Sequence, residues 1–265
     1  MPAVPSTLPL ILLPPSEGKA SGGDGPAWAP GSMALELDDR RTEVLSALAR
    51  AMKGSEPSRA HLLGVKGKAL AAATAADLTA RRSPTMPAIE RYTGVLYDAL
   101  GHRSLNSAHR RRLQASVLIF SGLWGAVAPA DPIPEYKLKM GASLPGLGKL
   151  ATWWRAELSA AIAERAAGRR VWNLLPNEHA AAWQAPGGLD QWSVRFLDRR
   201  ADGSLVAVSH SNKALKGELV RFLAAEPGAD VRDLAAWKHP SGYRLAKDLT
   251  DVRGGVTILS LVRRG

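Results

Sequence analysis

The feature that most restricts how this chain can fold is the alternation of short apolar runs with stretches of helical periodicity. Residues 8–13, 117–120, 171–175, 192–197, 205–209 and 256–262 are rich in Val, Ile and Leu and are flanked by glycine, proline or polar residues. Runs of that length and composition read as strands. Between them, apolar residues recur at helical spacing: Val44, Leu45, Leu48, Ala49 and Met52; Leu147, Leu150, Trp154 and Leu158; Leu215, Leu219, Val220 and Leu223. Strands interleaved with helices predict an α/β or mixed α+β architecture, a mixed sheet flanked by helices. No repeat and no linker divides the 265 residues. The expectation is one compact domain over 1–265, in which 33–115 read as a helical insertion or lobe. Residues 20–32 and 126–134 read as loops.

Four of the strands run into polar or glycine-rich turns. The first leads into Pro14-Pro15-Ser16-Glu17-Gly18-Lys19, the second into Ser121-Gly122-Leu123-Trp124-Gly125, the third into Pro176-Asn177-Glu178-His179 and the fifth into Ser209-His210-Ser211-Asn212-Lys213. If these strands are parallel neighbours, the turns meet at the carboxyl edge of the sheet, where open α/β sheets bind ligands. Lys19 sits outside a Walker-type loop, since Ala20 follows it; it would meet an anion as a point charge.

Composition bears on the partner. The net charge is +11 and the pI about 10.2, and the basic residues are dispersed: Arg40-Arg41, Arg81-Arg82, Arg110-Arg111-Arg112, Lys137 with Lys139, Arg169-Arg170, Lys213 with Lys216, and Arg263-Arg264. Dispersal suggests a charged face or cleft assembled in three dimensions, and such a field attracts polyanions, nucleic acid first among them. There is no cysteine, so disulfides, thiolate metal sites and a cysteine nucleophile are excluded. The six histidines lack metal-ligand spacing, and neither a metal nor a cofactor is expected. The apolar run near the N-terminus is too short for a membrane span and lacks the layout of a secretory signal, so a cytoplasmic protein is expected.

Residues 59–73 place two helical stretches around Gly64-Val65-Lys66-Gly67. This resembles a helix-hairpin-helix, in which a glycine turn offers backbone N–H groups to a phosphate, and Lys66 and Lys68 would add charge. Its glycines are separated by two residues. The sequence also permits an enzyme: Glu178 as an acid–base group beside Lys19 or Lys213 as a Schiff-base nucleophile, acting on a nucleotide, nucleobase or damaged DNA.

Taken in order, several segments resemble the YaaA family of peroxide stress proteins. They are Pro15–Lys19, Arg91-Tyr92-Thr93-Gly94 with Tyr97, and Ser121–Gly125 through Pro129, Asp131, Pro134, Tyr136, Lys139, Met140 and Gly141. Asn173-Leu174 with Asn177-Glu178 follow, then Asn212-Lys213-Ala214 with Lys216-Gly217 and Arg221-Phe222, and finally Gly242-Tyr243. The resemblance implies a compact α/β fold with a positively charged cleft and a helix-hairpin-helix, DNA binding, and a part in limiting iron-dependent peroxide damage to DNA and proteins. On that basis Lys19, Gly64, Lys66, Gly67, Lys68, Arg91, Tyr136, Lys137, Lys139, Lys213 and Lys216 are the expected DNA contacts. A small nucleotide-like ligand is a second partner to consider.

Overall fold

Leu10–Leu13 is buried at all four positions, as a strand covered on both faces must be. In the computed structural model, which describes residues 8–208 and 212–264, it is strand β1 of a nine-stranded mixed sheet. The other strands are β2 (Val117–Ser121), β3 (Gly125–Val127), β4 (Val171–Asn173), β5 (Gln191–Arg199), β6 (Leu205–Ala207), β7 (Arg244–Leu245), β8 (Asp251–Arg253) and β9 (Val256–Arg264). Their order is β7-β9-β5-β4-β1-β2-β3, with β6 also paired to β5 and β8 to β9. Adjacent members of β9-β5-β4-β1-β2 run parallel, Ile11 standing opposite both Val117 and Trp172. The exits of β1, β2 and β4 therefore share one edge of the sheet.

The fifth apolar run departs from the expectation of a parallel strand. β6 is antiparallel to β5, reached through a tight turn in which Arg200 N–H donates to Ser204 and Gly203 takes a left-handed φ of 83°. β4 pairs with the start of β5 and β6 with its end, while β9 occupies the other flank throughout. The chain leaving β6 thus heads back toward the end of β4. Residues 209–211 of the expected turn lie outside the described residues. A second departure concerns 126–134: this segment contributes β3 and, through Pro132–Ile133, a short antiparallel ladder with Met86–Pro87.

Six helices begin within 33–115: α1 (Asp38–Ala51), α2 (Glu56–Leu63), α3 (Gly67–Thr79), α4 (Ala88–Arg91), α5 (Val95–Leu100) and α6 (Ser107–Ser116). They are followed by α7 (Leu150–Ala166), α8 (Asn177–Ala180), α9 (Asn212–Ala225) and α10 (Val231–Ala236). The longest, α7, buries Leu150, Trp154, Leu158, Ile162 and Ala166, a spacing of four that keeps one face on the sheet. α2 starts at an Ser55 cap accepting from Ser58 N–H, carries Pro57 in its first turn, and ends at left-handed Gly64. One apolar cluster joins the sheet to α1, α5, α7 and α9, so the helical region shares the core of a single domain.

Candidate functional site

The loop leaving β1 is held like a strap. Tyr97 Oη donates to the Pro14 carbonyl at 2.9 Å, Thr93 N–H to Gly18 at 3.2 Å and Ala20 N–H to Arg91 at 2.8 Å. Gly18 is required by the closeness of that crossing, since a Cβ there would stand 2.9 Å from Thr93 Oγ1. The result fixes Lys19 opposite Tyr92, with its side chain turned over the Tyr136 ring.

Lys19 lies in a narrow pit of about 70 Å³ lined by Ser16, Glu17, Tyr136, Lys137, Lys139 and His179, among others. Its ammonium has weak company: the Ser16 carbonyl at 3.3 Å and the face of Tyr136, 4.3 Å from the ring centroid. Burial, helped by Lys137, pushes its pKa down to about 8, although Asp77, Glu17 and Glu135 pull the other way. Beneath it, the Tyr136 hydroxyl is hydrogen-bonded to both Tyr92 and Ser121, each at 2.7 Å, and Ser121 Oγ accepts from Trp124 N–H. Burial raises both tyrosine pKa values. Asp77 of α3 is buried as well. Its Oδ1 accepts Lys137 N–H at 2.7 Å, its Oδ2 has no partner, and burial raises its pKa to about 7 against the pull of Lys19 and Lys137. His179 leaves Nδ1 buried without a partner, and burial lowers its pKa, so it is neutral at pH 7.

The pit opens beside a broader groove of about 1240 Å³, and Lys139 and Glu178 line both. Arg50, Pro57, Ser58, His61 and Gly64 form the opposite wall. Two glycines set this geometry. A Cβ on Gly122 would press 2.7 Å from the Lys139 backbone, and one on Gly141 2.9 Å from Glu178 Oε1. Without side chains there, the turn after β2 packs under residues 138–139, and Gly141 N–H reaches Glu178 Oε1 at 2.8 Å. Gly64 itself lies close to Lys139: an added Cβ would be 3.7 Å from Nζ. α2 and α3 are joined by a three-residue turn, with Gly64 and Gly67 at φ of 66° and 56° and Lys66 and Lys68 exposed.

Of the residues singled out from sequence, Lys19, Tyr136, Lys137, Lys139 and Glu178 come together in the pit, and Gly64 joins them through the groove. Lys213 is exposed at the start of α9. Burial disfavours the Glu17 carboxylate, but Lys137, Lys139 and Lys213 outweigh it and hold its pKa below the usual value. Three expected contacts are wholly or partly buried. Arg91 is fully buried, its guanidinium donating to the carbonyls of Ala20, Gly22 and Ile133, so it clasps the loop after the strap and faces no solvent. Tyr136 is buried and serves as the floor under Lys19. Lys216 is partly buried with Nζ on the Leu174 carbonyl at 2.8 Å, tying α9 to the end of β4. Two further titratable groups are Asp77, which accepts from the backbone of Lys137, and His179 in the pit wall. The first was legible as an acid on the buried stripe Leu70, Thr74, Asp77 of α3; the second simply follows Glu178. Among the described residues no group of three or more His, Asp or Glu could hold a metal ion, and no helix is long and apolar enough to cross a membrane.

Comparison with known proteins gives a consistent answer over nearly the whole chain. A UPF0246 protein of Streptomyces coelicolor is 42% identical over 217 residues, covering 82% of this chain and 83% of its own. A UPF0246 protein of Corynebacterium efficiens is 36% identical over 234 residues, 85% of this chain and 91% of its own, and one of Limosilactobacillus fermentum is 32% identical over 169 residues, 62% and 66%. The family model described as peroxide stress protein YaaA matches residues 10–249, a span that takes in the strap, the pit, the groove and the start of α9. With that span and those identities, the chain belongs to the YaaA family of peroxide stress proteins.

Proposed function

We propose that this protein binds DNA in the peroxide stress response and so limits iron-dependent peroxide damage to DNA and proteins. The observation that carries the reading is the continuity of the α2–α3 turn, Lys139 and the lysine pit along one groove. The first N–H groups of a helix have no partner within it and carry partial positive charge, so the start of α3 suits a phosphate. Lys66 and Lys68 flank that start, and Lys19, Lys137, Lys139 and Lys213 supply cations along the strand exits. Lys137 and Lys139 are 3.5 and 3.7 Å from Glu17, an exposed pairing that a phosphate would displace at small cost. The contacts proposed here go to phosphates and not to base edges, so the expected sequence preference is slight.

The test is a salt titration of duplex DNA affinity. Each neutralised phosphate contributes about −0.9 to the slope of log K against log salt, and five or six contacts cost on the order of a thousandfold between about 50 and 200 mM. Replacing Lys137 and Lys139 by Ala should lower the slope by up to about two contacts. Folded protein that fails to bind duplex at low salt would rule the reading out.

A further inference from the structure

We propose that Lys19 captures the ring-opened sugar aldehyde of an abasic site in DNA as an imine, with His179 relaying protons; the substrate rests on the DNA reading above, the chemistry does not. The case begins with what Lys19 lacks. Among the described residues its Nζ has no carboxylate in salt-bridge contact, and it holds one long hydrogen bond and the face of Tyr136, so it is an amine stored without an anionic partner. Burial and the neighbouring Lys137 lower its pKa to about 8, leaving about a tenth as free amine at pH 7, which is the form that attacks a carbonyl. Size selects the substrate. A pit of about 70 Å³ has room for about five waters, hence a group of a few heavy atoms rather than a whole base. The aldehyde end of an opened sugar, its carbonyl with the carbon beside it, fits that limit, the rest of the sugar staying in the mouth where Lys137 and Lys139 suit its flanking phosphates.

The step balances without a co-reactant. The Nζ lone pair forms a bond to the carbonyl carbon as the C=O π pair moves onto oxygen. Neutral His179, which lines the pit and whose Nδ1 is buried and unpartnered, takes a proton from the resulting ammonium and passes it to that oxygen. Nitrogen then expels the oxygen, and the amine's two protons leave with it as water, giving the imine. Nothing is oxidised or reduced.

The experiment is borohydride trapping of the full-length protein on an abasic-site duplex, with the adduct mapped by peptide mass spectrometry and a parallel arm using glycolaldehyde phosphate. The expected adduct lies on Lys19. Lys19→Arg, which keeps the charge but cannot form the imine, should lose it at least about tenfold, and His179→Gln should slow it by about ten- to a hundredfold. Lys247→Ala, near β7 at the sheet's far edge, should trap as before. Trapping should speed up from pH 6 to 8 as the ammonium, faced by Lys137, Asp77, Glu17, Glu135 and His179, loses its proton. Tight duplex binding with no adduct on Lys19, or an adduct on another amine, would overturn the imine and leave the DNA reading standing. Capture of the short phospho-aldehyde alone would overturn the abasic-DNA substrate.

Discussion

The protein buries charge in two ways, and the contrast separates its scaffold from its site. In the scaffold, Arg41 and Arg91 are both fully enclosed, and each spends its guanidinium on backbone oxygens. Arg41 donates to the carbonyls of Leu35, Trp124 and Ala126 and to Asp38; Arg91 donates to those of Ala20, Gly22 and Ile133. At the pit, Lys19 has one long hydrogen bond, and His179 in its wall and Asp77 bonded to the Lys137 backbone each leave a buried atom unpartnered. A buried charge with its donors satisfied stabilises the loops it ties together, whereas one left short raises the folded state's free energy. Such a shortfall persists where another role maintains it, so the pit, not the arginines, is where chemistry is to be sought.

The arginine side of the contrast carries the largest expected effect. Arg91→Ala removes the donor from three carbonyls in the loop after the strap and at Ile133, and should cost about 3–5 kcal/mol in denaturant unfolding. Arg91→Lys should recover only part, because an ammonium cannot reproduce the planar fork. A loss below about 1 kcal/mol would mean the clasp is dispensable, and the distinction between the two kinds of buried charge would fail.

Next in size is Asp77. Its folded pKa of about 7 lies above its ordinary value, so the folded state binds more protons than the unfolded one across the interval between them. Stability from this group is therefore highest in acid and declines as pH rises to about 7. Asp77→Asn keeps an oxygen for Lys137 N–H while removing the charge. It should leave stability unchanged near pH 3.5 and raise it on the order of 2 kcal/mol at pH 8. Destabilisation at pH 8 would show that the carboxylate is welcome where it stands.

The same contrast explains what could be read from the sequence. The apolar runs declared the parallel centre of the sheet, because strands buried on both faces must be continuously apolar. The convergence of the turns after β1, β2 and β4 followed from it. Arg91 was misplaced because a sequence gives the presence of a charge and not its surroundings: a guanidinium on a surface and one inside a ring of carbonyls are spelled alike. The reversal into β6 had a signal in Asp202-Gly203, a hairpin pair with Gly203 at positive φ. Asp77 had one too, as an acid at positions i, i+4 and i+7 with Leu70 and Thr74. The pit's closeness to the α2–α3 turn depends on Gly122 and Gly141 admitting backbone and carboxylate at short range, a tertiary fact that local pattern does not carry.

The smallest expected effect is the most discriminating. Lys19 has a folded pKa of about 8, below its ordinary value, so between about 8 and 10.5 the unfolded chain holds more protons. Stability from this group must rise with pH across that window, and below pH 8 the full cost of a poorly solvated ammonium is present. Lys19→Met keeps the stem's length and its contact with the Tyr136 ring while removing the charge. The substitution forfeits the pull of Asp77, Glu17 and Glu135 together with the repulsion of Lys137, and burial outweighs that balance. Urea unfolding at pH 7 should therefore show the variant more stable by on the order of 1 kcal/mol, allowing for solvent screening of a half-buried group. The gain should vanish by about pH 10.5, where neither state is charged. Gained stability with lost trapping on abasic DNA would mark Lys19 as a residue kept for function at the fold's expense. A loss of stability at pH 7 would place Lys19 with Arg41 and Arg91, as one more satisfied charge of the scaffold.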